Sequence, residues 1–291
     1  MSFSALRAQE TKAKEYEKAC SSALEVNVFK LKFKPDFFQA ATHMLEAAQC
    51  YTAARMESEA SDAYIKSAEL RLKDHDHSSA ARAYELAGAF DKAADCYMIC
   101  GSLDQAVRST LRKGSSTSDV ATQLECFEKA IEIYAKDDGK DVMSSDIYKQ
   151  FITKLLQQNE RSKYLEVSSK YVEVLSRLEQ WPFVHKELLG QVIINLANNQ
   201  IVGAERVLSG SNLNIPGFVH SSEFAAADDL ITAVRENDGD ALKKTVSKPT
   251  VTYLNTEVVK IAKSIQVISV PLVSEGGNPS QVTENVEALL L

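Results

Sequence analysis

The sequence has no run of about 18 apolar residues, so no membrane-spanning helix is expected. Proline and glycine are scarce, at 6 and 11 in 291 residues, so long helices are barely interrupted. The 5 cysteines are an odd number scattered on apolar helix faces, which argues against a disulfide framework and for reduced, buried thiols. Positive charge is in deficit. A net charge of -7 argues against a general nucleic-acid binder, although a local basic face is compatible with it. Residues 1–10 are too polar for a secretory signal, which predicts a cytoplasmic protein. No strand-turn-strand pattern occurs.

Catalytic signatures are missing too. There is no Gly-rich phosphate loop, no nucleophile elbow and no paired Cys-x-x-Cys, so no cofactor, metal or enzyme activity is expected. Cys96 and Cys100 share a helix face at i and i+4, but two ligands do not make a metal site, and core packing is the expectation for both. Asp74-His75-Asp76-His77 is ligand-rich but sits at a helix junction, where capping is the stronger reading. His43, His185 and His220 are far apart in sequence, with no obvious acid-base partner.

What the chain does contain is a repeat. Ala48-Gln-Cys-Tyr51-Thr-Ala-Ala54 aligns with Ala81-Arg-Ala-Tyr84-Glu-Leu-Ala87 at an offset of 33 residues, and the same offset carries Tyr64 onto Tyr97. A shorter echo pairs Tyr84 and Gly88 with Tyr97 and Gly101. A period of about 34 residues, with small residues and aromatics at fixed places, marks stacked helical hairpins of the tetratricopeptide type. The repeated tyrosines then read as packing between helices, not as a binding site.

Helical spacing and stop signals predict helices near 4–24, 37–54, 119–136, 142–159, 161–180, 182–199, 201–208, 221–236, 238–246 and 251–265. Gly210 is expected to end the helix that starts at Ile201. The predicted fold is all-α: a right-handed superhelix of antiparallel hairpins over 1–200, a C-terminal helical bundle over 201–265 and a flexible tail over 266–291. Between the first two helices, Phe29-Lys30-Leu31-Lys32-Phe33 alternates apolar and basic residues. It reads either as a connector that covers the first hairpin or as a membrane-surface contact.

With these features assembled, the chain resembles the soluble NSF attachment protein family, and within it the gamma type. The resemblance rests on Phe33-Lys-Pro-Asp36, on Ala81-Arg-Ala-Tyr-Glu-Leu-Ala-Gly88, on Ala204-Glu-Arg206 and on Ile215-Pro-Gly-Phe218, in that order. It implies an adaptor that binds the four-helix SNARE bundle of syntaxin-type proteins in several copies. The adaptor presents that bundle to the AAA ATPase NSF and sits peripherally on the membrane. By position in the chain, the resemblance implies SNARE contacts at Arg108, Arg112, Lys113, Lys154 and Lys163. It implies a membrane loop at Phe29–Phe33 and an NSF-facing tail at Glu284, Glu287, Leu289 and Leu290. Family tails of the gamma type are usually longer than this one, which closes on three leucines. The alternative is a general tetratricopeptide scaffold holding a peptide of a chaperone or signalling partner; the regular Lys and Asn cluster such scaffolds use is missing.

Overall fold

A computed structural model describes residues 3–26, 34–212 and 215–267. These residues are helical, with no strand among them. The helices are α1 Phe3–Leu24, α2 Phe37–Ala53, α3 Glu57–Lys73, α4 His77–Leu86, α5 Phe90–Ile99, α6 Leu103–Ser116, α7 Val120–Tyr134 and α8 Asp141–Gln157. They continue as α9 Arg161–Arg177, α10 Trp181–Ala197, α11 Ile201–Asn212, α12 Ser222–Arg235, α13 Gly239–Val246, α14 Pro249–Thr252 and α15 Thr256–Ser264. The chain divides into two compact units, Met1–Leu155 and Leu156–Leu291. The loop Phe29–Phe33 and the tail residues Glu284, Glu287, Leu289 and Leu290 lie outside the described residues.

One turn recurs along the chain. Arg55, His75, Gly88, Gly101, Asn159, Glu179, Asn199 and Asn237 each take a positive φ, between 55° and 76°. In seven of these turns the following residue donates its N–H to the carbonyl five positions back. Met56 bonds Tyr51, Asp76 bonds Arg71, Ala89 bonds Tyr84 and Ser102 bonds Tyr97, and the others follow suit at 2.8 to 3.0 Å. This is the Schellman arrangement, which satisfies carbonyls left open at a helix end. The same donor residue is the N-cap of the next helix, so Asp76 closes α3 and accepts from Ser79 N at 3.0 Å to open α4. Three residues thus reverse the chain. The Asp74–His77 cluster is a helix junction, as its capping pattern predicts.

In the first unit, consecutive helices from α1 to α7 pack pairwise. Their contact faces are built from small residues. Ala40, Ala41, Ala47, Ala48, Ala80, Ala81, Ala93 and Ala106 are fully buried, which lets helix axes approach closely. Tyr51, Tyr64, Tyr84 and Tyr97 are buried between helices, as their repetition predicts. They also do more than fill space. Tyr97 Oη donates to Glu85 Oε2 at 3.1 Å, and the phenols of Tyr51 and Tyr134 face the carboxylates of Glu17 and Asp104. Burial first, and then the adjacent carboxylate, pushes all three phenols up to about 12.

In the second unit, α10 is buried over most of its surface from Val184 to Leu196 and packs against α9, α11, α12 and α15. A helix apolar on nearly every side belongs at the centre of a bundle. Its polar residues are consumed internally. Glu187 Oε1 accepts from Tyr164 Oη at 2.9 Å and from Ser168 Oγ at 2.6 Å, while Gln191 donates to Ser168 Oγ at 2.8 Å. Gly190 stands opposite Tyr164, whose hydroxyl would lie 2.7 Å from an added Cβ. Phe218 is fully buried against His185 and Phe224.

Three expectations are corrected. The helix predicted over 251–265 is broken into α14 and α15, because Asn255 caps a new start by accepting from Glu257 N at 2.9 Å. Helix α11 runs through Gly210 to Asn212. Gly210 meets nothing within 4 Å, so it is tolerated where no tertiary contact demands a stop. Cys100 does not join the core. It is the C-cap of α5 and exposed, whereas Cys20, Cys50, Cys96 and Cys126 are buried.

Replacing Gly88 by Ala is expected to cost about 1 kcal/mol in urea unfolding, through left-handed strain alone, since no atom crowds the new Cβ. Glu179→Gly should raise stability by about 0.5 kcal/mol, the strain relief outweighing the added freedom of the unfolded chain. A Gly88→Ala protein as stable as the parent would refute the role given to the turn.

Burial raises the Glu187 carboxyl pKa, against two hydrogen bonds that lower it. The folded state therefore keeps a proton that the unfolded chain releases. That contribution is fully present below the unfolded value of about 4.3 and is lost as pH rises through the folded value. Glu187→Gln should accordingly raise the melting temperature at pH 7 more than at pH 4, and equal shifts at both would contradict it.

Candidate functional site

Four of the five expected basic residues fall on two helices of the first unit, Arg108, Arg112 and Lys113 on α6 and Lys154 on α8. Arg108 and Arg112 stand one turn apart on α6, and Gln150 and Lys154 one turn apart on α8. Between them α7 presents Gln123, Cys126 and Phe127. The Phe127 ring stacks on Phe151 of α8 with centroids 5.5 Å apart, which holds α8 against α7. Apart from Phe151, these residues, with Leu111, Gly114 and Ser115, line a cleft of about 510 Å³.

The cleft is cationic at its rim and apolar at its floor. Arg112 Nη1 lies 3.4 Å from Glu85 Oε1, which also accepts from Ser109 Oγ, so one of its three cations is partly neutralised. Arg108 and Lys154 have no hydrogen-bonded or ion-pair partner among the described residues. Cys126 is buried in the floor, and its thiol is pushed up by that burial, which makes it a poor nucleophile.

The structure does not gather all five residues. Lys113 is directed to α5, with Nζ 2.6 Å from Asp91. Lys163 belongs to the second unit, on α9, 3.6 Å from Glu166. Sequence reasoning nominated none of Gln123, Phe127 and Gln150 for a site. The short, small-residue end of α6 at Gly114-Ser115 was the available signal that α7 and α8 leave an opening there. His43 pairs loosely with Glu46 at 3.4 Å, and His185 Nε2 meets the Pro216 carbonyl at 3.0 Å. No group of three metal-ligating side chains occurs among the described residues. The arrangement can hold carboxylates over an apolar floor, and it assembles no nucleophile with its base.

Stacked hairpins with such a cleft define a helical-repeat scaffold for binding other proteins. Comparison with known proteins narrows the class. The family model described as soluble NSF attachment protein matches residues 8–248, and the chain belongs to that family. It is 27% identical over 259 residues to the gamma-soluble NSF attachment protein of Dictyostelium discoideum, covering 84% of this chain and 79% of that one. It is 26% identical over 262 residues to the alpha-soluble NSF attachment protein of Saccharomyces cerevisiae, covering 79% of this chain and 87% of that one. A gamma-soluble NSF attachment protein of Arabidopsis thaliana is 23% identical over 186 residues, 62% of each chain.

Proposed function

We propose that this protein is an adaptor that attaches NSF to SNARE complexes for their disassembly in vesicle trafficking. The observation that carries this reading is the family match over 8–248, which spans nearly all the described helices. The adaptor role needs surfaces and no chemistry; ATP is consumed by the partner. The cationic cleft of Arg108, Arg112 and Lys154 suits an acidic, amphipathic helix such as a SNARE bundle exposes. Several copies on one bundle would add weak polar contacts through multivalency. Phe29, Leu31 and Phe33 with Lys30 and Lys32 form the membrane contact, and Glu284, Glu287, Leu289 and Leu290 the contact to NSF. The protein works in the cytoplasm, peripherally on membranes. A peptide-capturing tetratricopeptide scaffold of another kind is not favoured, since the family match extends through both units.

The experiment mixes the protein with SNARE complex and NSF under a non-hydrolysing nucleotide. NSF should be retained only when the protein is present, and no retention at any concentration would sink the reading. Arg108→Glu with Lys154→Glu should weaken SNARE retention on the order of tenfold or more at low salt, with the difference shrinking as salt rises. Unchanged retention would remove the cleft from the interface. Deleting residues 288–291 should reduce stimulation of the NSF ATPase and leave SNARE binding intact, so full stimulation by the shortened chain would count against the tail.

A further inference from the structure

The second unit carries a cleft of its own, between α13 and α15. Leu242 and Val246 stand one turn apart on α13 and are buried in its floor, together with Ala262 of α15. Ile265 continues the apolar lining past the end of α15, where the backbone becomes extended. The chain then returns to the start of α13, so that a Cβ added to Gly239 would stand 3.4 Å from Val267 Cγ2. The cleft so formed is about 560 Å³, within the roughly 300–1,000 Å³ range of clefts that hold ligand groups.

Its rim is cationic. Lys243 and Lys263 line it, with no carboxylate among the lining residues. Both lysines are exposed and have no ion-pair partner among the described residues. Away from the lining, charges are matched. Lys248 pairs with Asp229 and Lys260 with Glu257, and Asp240 stands one turn from Lys244. Glu236 and Asp238 belong to the turn before α13, where Asp238 accepts from the N–H groups of Asp240 and Ala241. The excess of positive charge is therefore local to the rim. An apolar floor under unpaired cations calls for an acidic, amphipathic occupant.

The sequence supplies such a segment directly after the cleft. Residues 268–291 contain Glu275, Glu284 and Glu287 and no lysine or arginine. Val282, Val286, Leu289 and Leu290 recur at i, i+4, i+7 and i+8, the spacing of one helix face, with Glu287 at its border. As a helix that stretch is about 13 Å long, close to the about 12 Å of α13. Residues 268–281 lead away from Val267, which itself lines the cleft, and as a linker they reach roughly 20 Å, farther than α13 is long. A tether of that length keeps the segment near its site at an effective concentration of about a millimolar, so a weak contact suffices.

We propose that the cleft between α13 and α15 holds the chain's own segment 282–291, with its valines and leucines on the floor of Leu242, Val246 and Ala262 and Glu287 at Lys243 and Lys263. Docking covers Leu289 and Leu290, two of the residues proposed to meet NSF. This consequence rests on that reading of the tail: NSF gains the tail only by displacing it from the cleft, so its engagement carries the cost of undocking.

The full chain is treated with a carbodiimide, which condenses a carboxylate and a contacting amine to an amide and takes up the water released, and the digested peptides are read by mass spectrometry. Amides from Glu287 to Lys243 or Lys263 are expected, several-fold above those to Lys170 and Lys186 elsewhere on the second unit. Val286→Ser with Leu290→Ser keeps every linkable group and should lower that yield several-fold. Equal yields at all four lysines, or a yield indifferent to the two serines, would overturn the docked segment. The reaction is repeated on mixed isotope-labelled and unlabelled chains. Links within one isotopic species place the segment in its own cleft, whereas mixed links would assign the cleft to a second copy and overturn the proposal. Lys243→Glu with Lys263→Glu, at two exposed positions, should stimulate the NSF ATPase on SNARE complex at a several-fold lower chain concentration than the parent. If the links form while deleting 288–291 leaves NSF stimulation intact, the docked segment stands and the NSF reading of the tail falls. If the links fail while that deletion lowers stimulation, the NSF reading stands and the docking falls.

Discussion

The three-residue turn with a left-handed middle residue is the constraint from which the rest of the structure follows. Because one residue both accepts the closing role of one helix and caps the next, successive helices have almost no slack between them. They must lie side by side and antiparallel. Side-by-side packing in turn demands small residues at the contact faces, which the alanines supply. The tyrosines fill the remaining depth, and the hydroxyls of Tyr51, Tyr97 and Tyr134 face carboxylates on adjacent helices.

That economy leaves function to the surface. A stack filled by Ala-Ala and Tyr-carboxylate contacts commits its interior to packing. It offers helix faces and helix ends instead. Where α6 ends in small residues, α7 and α8 open a cleft rimmed by Arg108, Arg112 and Lys154. A chain of the soluble NSF attachment protein family, acting as an adaptor, uses surfaces of this kind.

The second unit solves a different problem. Its α10 is apolar on nearly every side and is surrounded by four helices, with Glu187, Gln191 and Asn195 absorbed into hydrogen bonds. A buried carboxyl held by Tyr164 and Ser168 orders the α9–α10 contact but sits poorly as an anion, which couples this contact to pH.

The sequence by itself determined the all-helical class, the hairpin period, the packing role of the tyrosines and the turns at Gly88 and Gly101. Periodicity and glycine are local signals that survive without neighbours. The left-handed conformations of Arg55 and Glu179 were not legible, because these side chains carry no preference for that region. The break at 253–255, the exposure of Cys100 and the passage of α11 through Gly210 depended likewise on what each residue meets in space. So did the cleft. Position along the chain nominated five basic residues, and only helix packing could bring Arg108, Arg112 and Lys154 together, turn Lys113 toward Asp91 and leave Lys163 on another unit. A charge's sequence neighbours fix which face of its own helix it occupies, whereas its partners are chosen by the helices that pack beside it.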